Sequence, residues 1–151
     1  MEAFPDFRDL LATFNDHHVE YLVVGAHAVA AHGFVRATKD LDVWVHATPE
    51  NAPRVMRALA AFGAPLQGVT DADFAEPGAF YRMGVPPVGI DVLTSLEDVD
   101  FDEAWSRRGI YEYGGVRAPV LSRELLVRNK RAVARAQDLA DVERLEKSSP
   151  K

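Results

Sequence analysis

Asp40 and Asp42 stand two apart in the run Asp40-Leu41-Asp42-Val43-Trp44-Val45, whose apolar and β-branched residues favour a strand. Residues two apart on a strand leave the same face, so this spacing sets two carboxylates side by side. On a strand otherwise built from Leu, Val and Trp the two charges repel and lose hydration, a cost that a divalent cation removes. A third acid, Asp91, interrupts the apolar run Val88 to Leu93, where an ionised carboxylate is costly unless paired or liganded. Three carboxylates on adjacent strands can hold two Mg²⁺ ions (or Mn²⁺) about 3.5 to 4 Å apart, the arrangement that activates a hydroxyl and stabilises charge in phosphoryl transfer. Asp91 also suits a general base that accepts the hydroxyl proton. Gly25 supplies a second half: a glycine between strand and helix lets backbone N–H groups approach phosphate oxygens at the positive end of the helix.

These residues need elements to hold them. Val19 to Val24 reads as a short buried strand that stops at Gly25, and Ala26 to His32 as a two-turn helix closed by Gly33. Asp40 to Val45 is the next strand, and Thr48-Pro49-Glu50 is a helix start ahead of the stripe Val55, Met56, Leu59 and Phe62, which Gly63 ends. Upstream, Phe4, Phe7, Leu10, Leu11 and Phe14 predict an amphipathic helix from about Pro5 to Asp16. Ala64 to Gly78 reads as loop with one helical turn. Ala79 to Met83 and Val88 to Thr94 form an antiparallel hairpin around Gly84-Val85-Pro86-Pro87. Phe101 to Arg107 is a helix introduced by Asp98 or Asp100, and a second hairpin turns at Gly114-Gly115 between Ile110 to Tyr113 and Val116 to Leu121. Ser122 caps a helix with Leu125, Leu126, Asn129, Ala132 and Val133 on one face. Asp138 caps a last helix carrying Leu139, Val142 and Leu145.

The segment Val24-Gly25-Ala26, the run Arg36-Ala37-Thr38-Lys39-Asp40-Leu41-Asp42-Val43 and the later Asp91 together resemble the nucleotidyltransferase superfamily with the polymerase-β-type catalytic fold. The HGxxRxTxDxD arrangement from His32 to Asp42, with Asn129-Lys130, Arg135, Asp138 and Asp141, is similar to small bacterial nucleotidyltransferase-like proteins related to AbiEii-type toxins of toxin-antitoxin pairs. The resemblance runs from about Val19 to Leu145. It implies an α+β (α/β) fold, a mixed β-sheet flanked by helices with a helical C-terminus, and Mg²⁺-dependent transfer of a nucleoside monophosphate from a nucleoside triphosphate such as ATP to a hydroxyl acceptor. The acceptor classes are a protein side chain, an RNA 3′ end and a small molecule such as an aminoglycoside or lincosamide. Carried onto this chain, Asp40, Asp42 and Asp91 are the metal ligands and catalytic residues. Gly25, Ala26, Arg36, Thr38, Lys130 and Arg135 line the nucleotide. One departure is Gly25-Ala26, where the family has Gly-Gly or Gly-Ser; it supports the alternative of a catalytically inactive nucleotide-binding or regulatory relative, with a partner protein or a homodimer.

Lys130 falls four residues after Leu126 and three before Val133, so a face that packs those two inward turns Lys130 toward the body and the nucleotide. Arg128 and Arg131 fall off that stripe and should be solvated.

Composition agrees with one soluble domain. The chain has 151 residues, 48% hydrophobic and 26% charged, close to the globular average. We expect a single domain over 1–147 and a disordered tail at 148–151. With no cysteine, disulfides, thiolate metal sites and a cysteine nucleophile are excluded. The five histidines form no HExxH pair and no GxSxG elbow is present, which argues against zinc and serine catalysis. The acidic N-terminus and the lack of a long apolar run point to a cytoplasmic protein with no membrane association. A net charge of −6 argues against an extended nucleic-acid surface. Of the 17 basic residues, eight follow Leu121, a cationic segment on an anionic body.

Overall fold

A computed structural model describes residues 5–34, 38–84 and 88–147. The tail at 148–151, Arg36 and most of the loop after Gly84 lie outside the described residues.

Helix α1 (Pro5–Asp16) buries Phe7, Leu10, Leu11 and Phe14 completely, as their three-and-four spacing requires. Each such side chain contributes about 1.5 to 3 kcal/mol of transfer free energy. Strand β1 (Tyr21–Val24) is buried along its whole length and runs directly into α2 (Gly25–Ala31). Strand β2 (Asp40–Val45) follows, then α3 (Ala52–Phe62), closed by Gly63 in the left-handed region, and a single turn α4 (Asp71–Ala75). Strands β3 (Phe80–Met83) and β4 (Gly89–Leu93) form the first hairpin. Helix α5 (Phe101–Ser106) starts at Asp100, whose carboxylate accepts from the Glu103 N–H. Strands β5 (Gly109–Tyr113) and β6 (Val116–Val120) form the second hairpin, and α6 (Arg123–Val133), capped by Ser122, and α7 (Ala136–Lys147) complete the chain.

The six strands make one mixed sheet in the order β3-β4-β2-β1-β6-β5. β2 is antiparallel to β1 and parallel to β4, and β1 is parallel to β6. The central strands β1, β2 and β4 are therefore the most apolar, being covered by helices, and Leu22, Val23, Leu41, Val43 and Val92 have no exposed surface. Helices α1, α3 and α4 pack in succession, while α2 rests on β1 and β2 and against α6, which pairs with α7. The α+β fold with a helical C-terminus is as expected. Among the described residues no helix is long and apolar enough to cross a membrane.

Three local readings are corrected. Helix α3 begins at Ala52, because Thr48 to Asn51 forms a turn in which the Thr48 hydroxyl accepts from the Asn51 N–H at 3.1 Å. Asp138 lies inside the first turn of α7 and accepts from the Arg135 N–H at 3.2 Å, so it reaches back to the cap position without occupying it. Leu139 and Val133 are exposed, at 50% and 39%, and Ala132 with them. The inward faces of α6 and α7 are instead Leu125, Leu126, Asn129 and Lys130 against Asp138, Asp141, Val142 and Leu145.

Candidate active site

Strand register assembles the site. Asp42 on β2 sits opposite Asp91 on β4, which sits opposite Arg82 on β3, and Asp40 sits opposite Gly89. Directly opposed residues share a face, and so do residues two apart, so Asp40, Asp42, Asp91 and Arg82 all project from one side of three neighbouring strands. Arg82 Nη1 donates to both Asp91 carboxylate oxygens at 3.0 Å, and its Nη2 donates to Asp40 Oδ1 at 3.0 Å. Glycine makes the crossing possible: a Cβ on Gly89 would lie 2.3 Å from Arg82 Nη2 and 2.9 Å from Asp40 Oδ1.

Gly25 does the same at the end of β1. Its φ of +66° is the left-handed conformation that turns the chain from strand to helix, and a Cβ there would lie 2.2 Å from Asp42 Oδ2. The backbone at the start of α2 thus comes against the carboxylates with no side chain between them.

The Asp42 carboxyl is pushed up to about 7, by burial first, then by its hydrogen bond with Asp91 and the charges of Asp91 and Asp40; Arg82 opposes the rise. Arg82 is held above its ordinary value chiefly by the charge of Asp91. Among the described residues no three acid or histidine side chains are grouped so as to hold a metal ion, and Arg82 lies between Asp40 and Asp91. The donor set nevertheless fits an oxygen-preferring divalent cation. Three carboxylates stand on registered strands, one of them resists ionisation because it is buried beside two other acids, and two glycines keep side chains out of the surrounding space.

A second cluster joins α6 to α7. The Lys130 amine is buried, 2.9 Å from Asp141 Oδ2 and 3.4 Å from Asp138 Oδ1. Arg135 closes on the same carboxylate, its Nε 2.7 Å from Asp138 Oδ2. Burial alone would raise the Asp138 carboxyl, but the Arg135 hydrogen bonds and the charges of Lys130 and Arg135 outweigh it and hold it below its ordinary value. Arg135 is raised by Asp138 above all, with the charge of Asp42 adding to the effect. The Arg135 side chain is otherwise largely exposed.

The structure thus brings Asp40, Asp42, Asp91 and Gly25 together and sets Arg135 within electrostatic reach of Asp42. Ala26 is buried in the first turn of α2, and Thr38 spends its hydroxyl locally, 3.2 Å from both the N–H and the carbonyl of Asp40. Lys130 is turned inward, although Val133 on its expected stripe is exposed, and its amine is spent on Asp138 and Asp141 of α7. Arg128 and Arg131 are half exposed and pair with Asp98, Glu103 and Glu146. Arg82 escaped the sequence reading, because an arginine on a hairpin edge reads as solvated until its register is known.

No protein-family model and no curated protein matches the sequence. Solved structures do. The lincosamide antibiotic adenylyltransferase LnuA, bound to lincomycin, superposes with a TM-score of 0.63 at 15% identity, over 99% of this chain and 100% of that one. The antibiotic-resistance factor ANT(2'')-Ia gives a TM-score of 0.63 at 13% identity, over 95% and 82%. An antigenic nucleotidyltransferase-like protein from Paracoccidioides brasiliensis gives 0.55 at 14%, over 95% and 77%. With the sheet order, the carboxylates on β2 and β4 and the glycine turn ahead of α2, these superpositions establish that the chain has the nucleotidyltransferase fold.

Proposed function

We propose that the protein is a metal-dependent nucleotidyltransferase that moves a nucleoside monophosphate from a nucleoside triphosphate to a hydroxyl of a small-molecule acceptor, releasing pyrophosphate. The observation that carries this reading is the register of Asp42 against Asp91 beside Asp40, with the Gly25 turn closing on the same carboxylates. Asp40, Asp42 and Asp91 would hold a divalent ion, Mg²⁺ or Mn²⁺, which when bound supplies charge neutralisation and polarises phosphate oxygens. Asp91 would take the acceptor hydroxyl proton, and its 8% exposure keeps that carboxylate away from bulk water. The backbone after Gly25 can meet the triphosphate without side-chain hindrance, and the charge of Arg135 would help to offset it.

A small acceptor is favoured by structural likeness. The chain superposes over 99% of its length on LnuA, whose structure holds lincomycin, a small molecule. Ala26 at the turn sustains a second reading, a relative that binds nucleotide without transferring it.

Incubation with each α-labelled ribonucleoside triphosphate, Mg²⁺ or Mn²⁺, and panels of lincosamides, aminoglycosides, RNA ends and cell-extract fractions tests both readings. Label transfer with pyrophosphate release, lost in Asp42→Asn, supports the enzyme. Nucleotide binding by calorimetry without pyrophosphate release supports the inactive relative. Neither binding nor transfer would overturn both.

A further inference from the structure

We propose that Arg82 is a built-in counter-cation which closes the carboxylate triad in the metal-free protein, and that a divalent cation binds by displacing it from Asp40 and Asp91. The proposal rests on the reading that the triad holds a metal ion.

Arg82 commits its guanidinium to two carboxylates on two different strands. Its Nη1 spans both oxygens of Asp91 at 3.0 Å, and its Nη2 takes Asp40 Oδ1 at 3.0 Å. A planar guanidinium bound in this way is charge-assisted and geometrically specific, unlike a mobile surface ion pair. The passage from β3 across β4 to β2 is itself built into the backbone. It runs over Gly89, where a Cβ would sit 2.3 Å from Nη2 and 2.7 Å from Cζ, so a residue with a side chain would close it.

The bonds that Arg82 makes use the lone pairs a metal ion needs. While Nη1 bridges both Asp91 oxygens it occupies the position of a bidentate cation, and its charge competes with a metal ion for that carboxylate. The balance of charge leaves an opening for a stronger cation, because one guanidinium faces three carboxyl groups whereas a divalent ion brings twice its charge. Release is cheap on the other side. Arg82 lies on the edge strand β3 with its side chain half exposed, whereas the Asp91 side chain it leaves is 12% exposed, so the arginine can move into solvent while the acids stay fixed.

Calorimetric titration of the full chain with Mn²⁺ alone, without nucleotide, tests this in wild type, Arg82→Ala and Arg82→Lys. Melting in chelator and in saturating Mn²⁺ provides a second readout. We expect Arg82→Ala to bind Mn²⁺ about tenfold more tightly than wild type. Arg82→Lys, which keeps a charge but not the two-pronged geometry, falls between them. Metal-free Arg82→Ala should melt below wild type, and Mn²⁺ should close that gap. Equal or weaker Mn²⁺ binding by Arg82→Ala, with wild type binding measurably, overturns the displacement alone. Failure of every variant to bind Mn²⁺ overturns the metal reading of the triad and this proposal with it. If Arg82→Ala does not fold, Arg82→Lys decides: affinity no higher than wild type overturns the proposal.

Discussion

In the unfolded chain Asp42 has its ordinary carboxyl value of 3.8, whereas in the fold it is raised to about 7. Between those values the folded protein keeps a proton that the unfolded chain has released. The stability this confers is complete below about pH 4 and is lost as the pH rises through about 7. Without metal, Asp42→Asn should therefore melt above wild type at pH 8 and close to it at pH 4, which a thermal melt in chelator checks. The same substitution should lower transfer about 100-fold or more, as removal of a group aimed at transition-state charge does. Pyrophosphate release measures that loss, and Asp40→Asn and Asp91→Asn should match it. Higher metal-free stability together with lost transfer in the same variant would mark Asp42 as a functional residue.

Elements explain what the letters of the sequence concealed. Strand β2 was legible to the residue, and the hairpins closely so, because alternation and turn glycines act locally. Across the first hairpin, however, symmetry about Gly84 to Pro87 would set Arg82 opposite Gly89. The actual register sets it opposite Asp91, two residues on and on the same face, and a shift of that kind depends on tertiary packing. Helices α6 and α7 misled for another reason. Apolar periodicity counts Val133 and Leu139 as inward, but the buried seam beside Leu125, Leu126, Val142 and Leu145 is completed by Lys130, Asp138 and Asp141, whose polarity gives no such signal. That seam carries a prediction. Lys130→Ala removes the buried amine 2.9 Å from the fully buried Asp141 and should cost about 3 to 5 kcal/mol, the range for breaking a buried ion pair. Arg128→Ala and Arg131→Ala, whose pairs are exposed, should cost about 0 to 1 kcal/mol. Urea denaturation distinguishes the two outcomes.

Across the molecule, two buried groups, Asp42 and His27, push the acid response in opposite directions. His27 on α2 packs against Phe7, Tyr111 and Tyr113, its Nδ1 2.8 Å from the Tyr111 hydroxyl, and burial lowers it from 6.5 to about 4. The unfolded chain takes up that proton first, so the stability due to neutral His27 is present above about pH 6.5 and is lost as the pH falls through about 4. His27→Phe should therefore lose less stability than wild type on acidification across this window, as melting temperatures against pH would show. The two slopes oppose each other there, so the protein with both groups has a flatter profile than Asp42→Asn or His27→Phe. The sheet order has a consequence of its own for the path by which the chain folds. Strand β1 lies at the centre of the sheet, yet its neighbour β6 is a parallel partner whose Val120 registers with Val23 from 97 residues away. The β3–β4 and β5–β6 hairpins close short loops and form early, whereas the β1–β6 seam must wait until most of the chain is in place. Refolding rates should respond to substitutions in the hairpins more than to substitutions at the two parallel junctions, β2–β4 and β1–β6, whose registered residues Asp42 and Asp91, and Val23 and Val120, lie 49 and 97 apart in sequence.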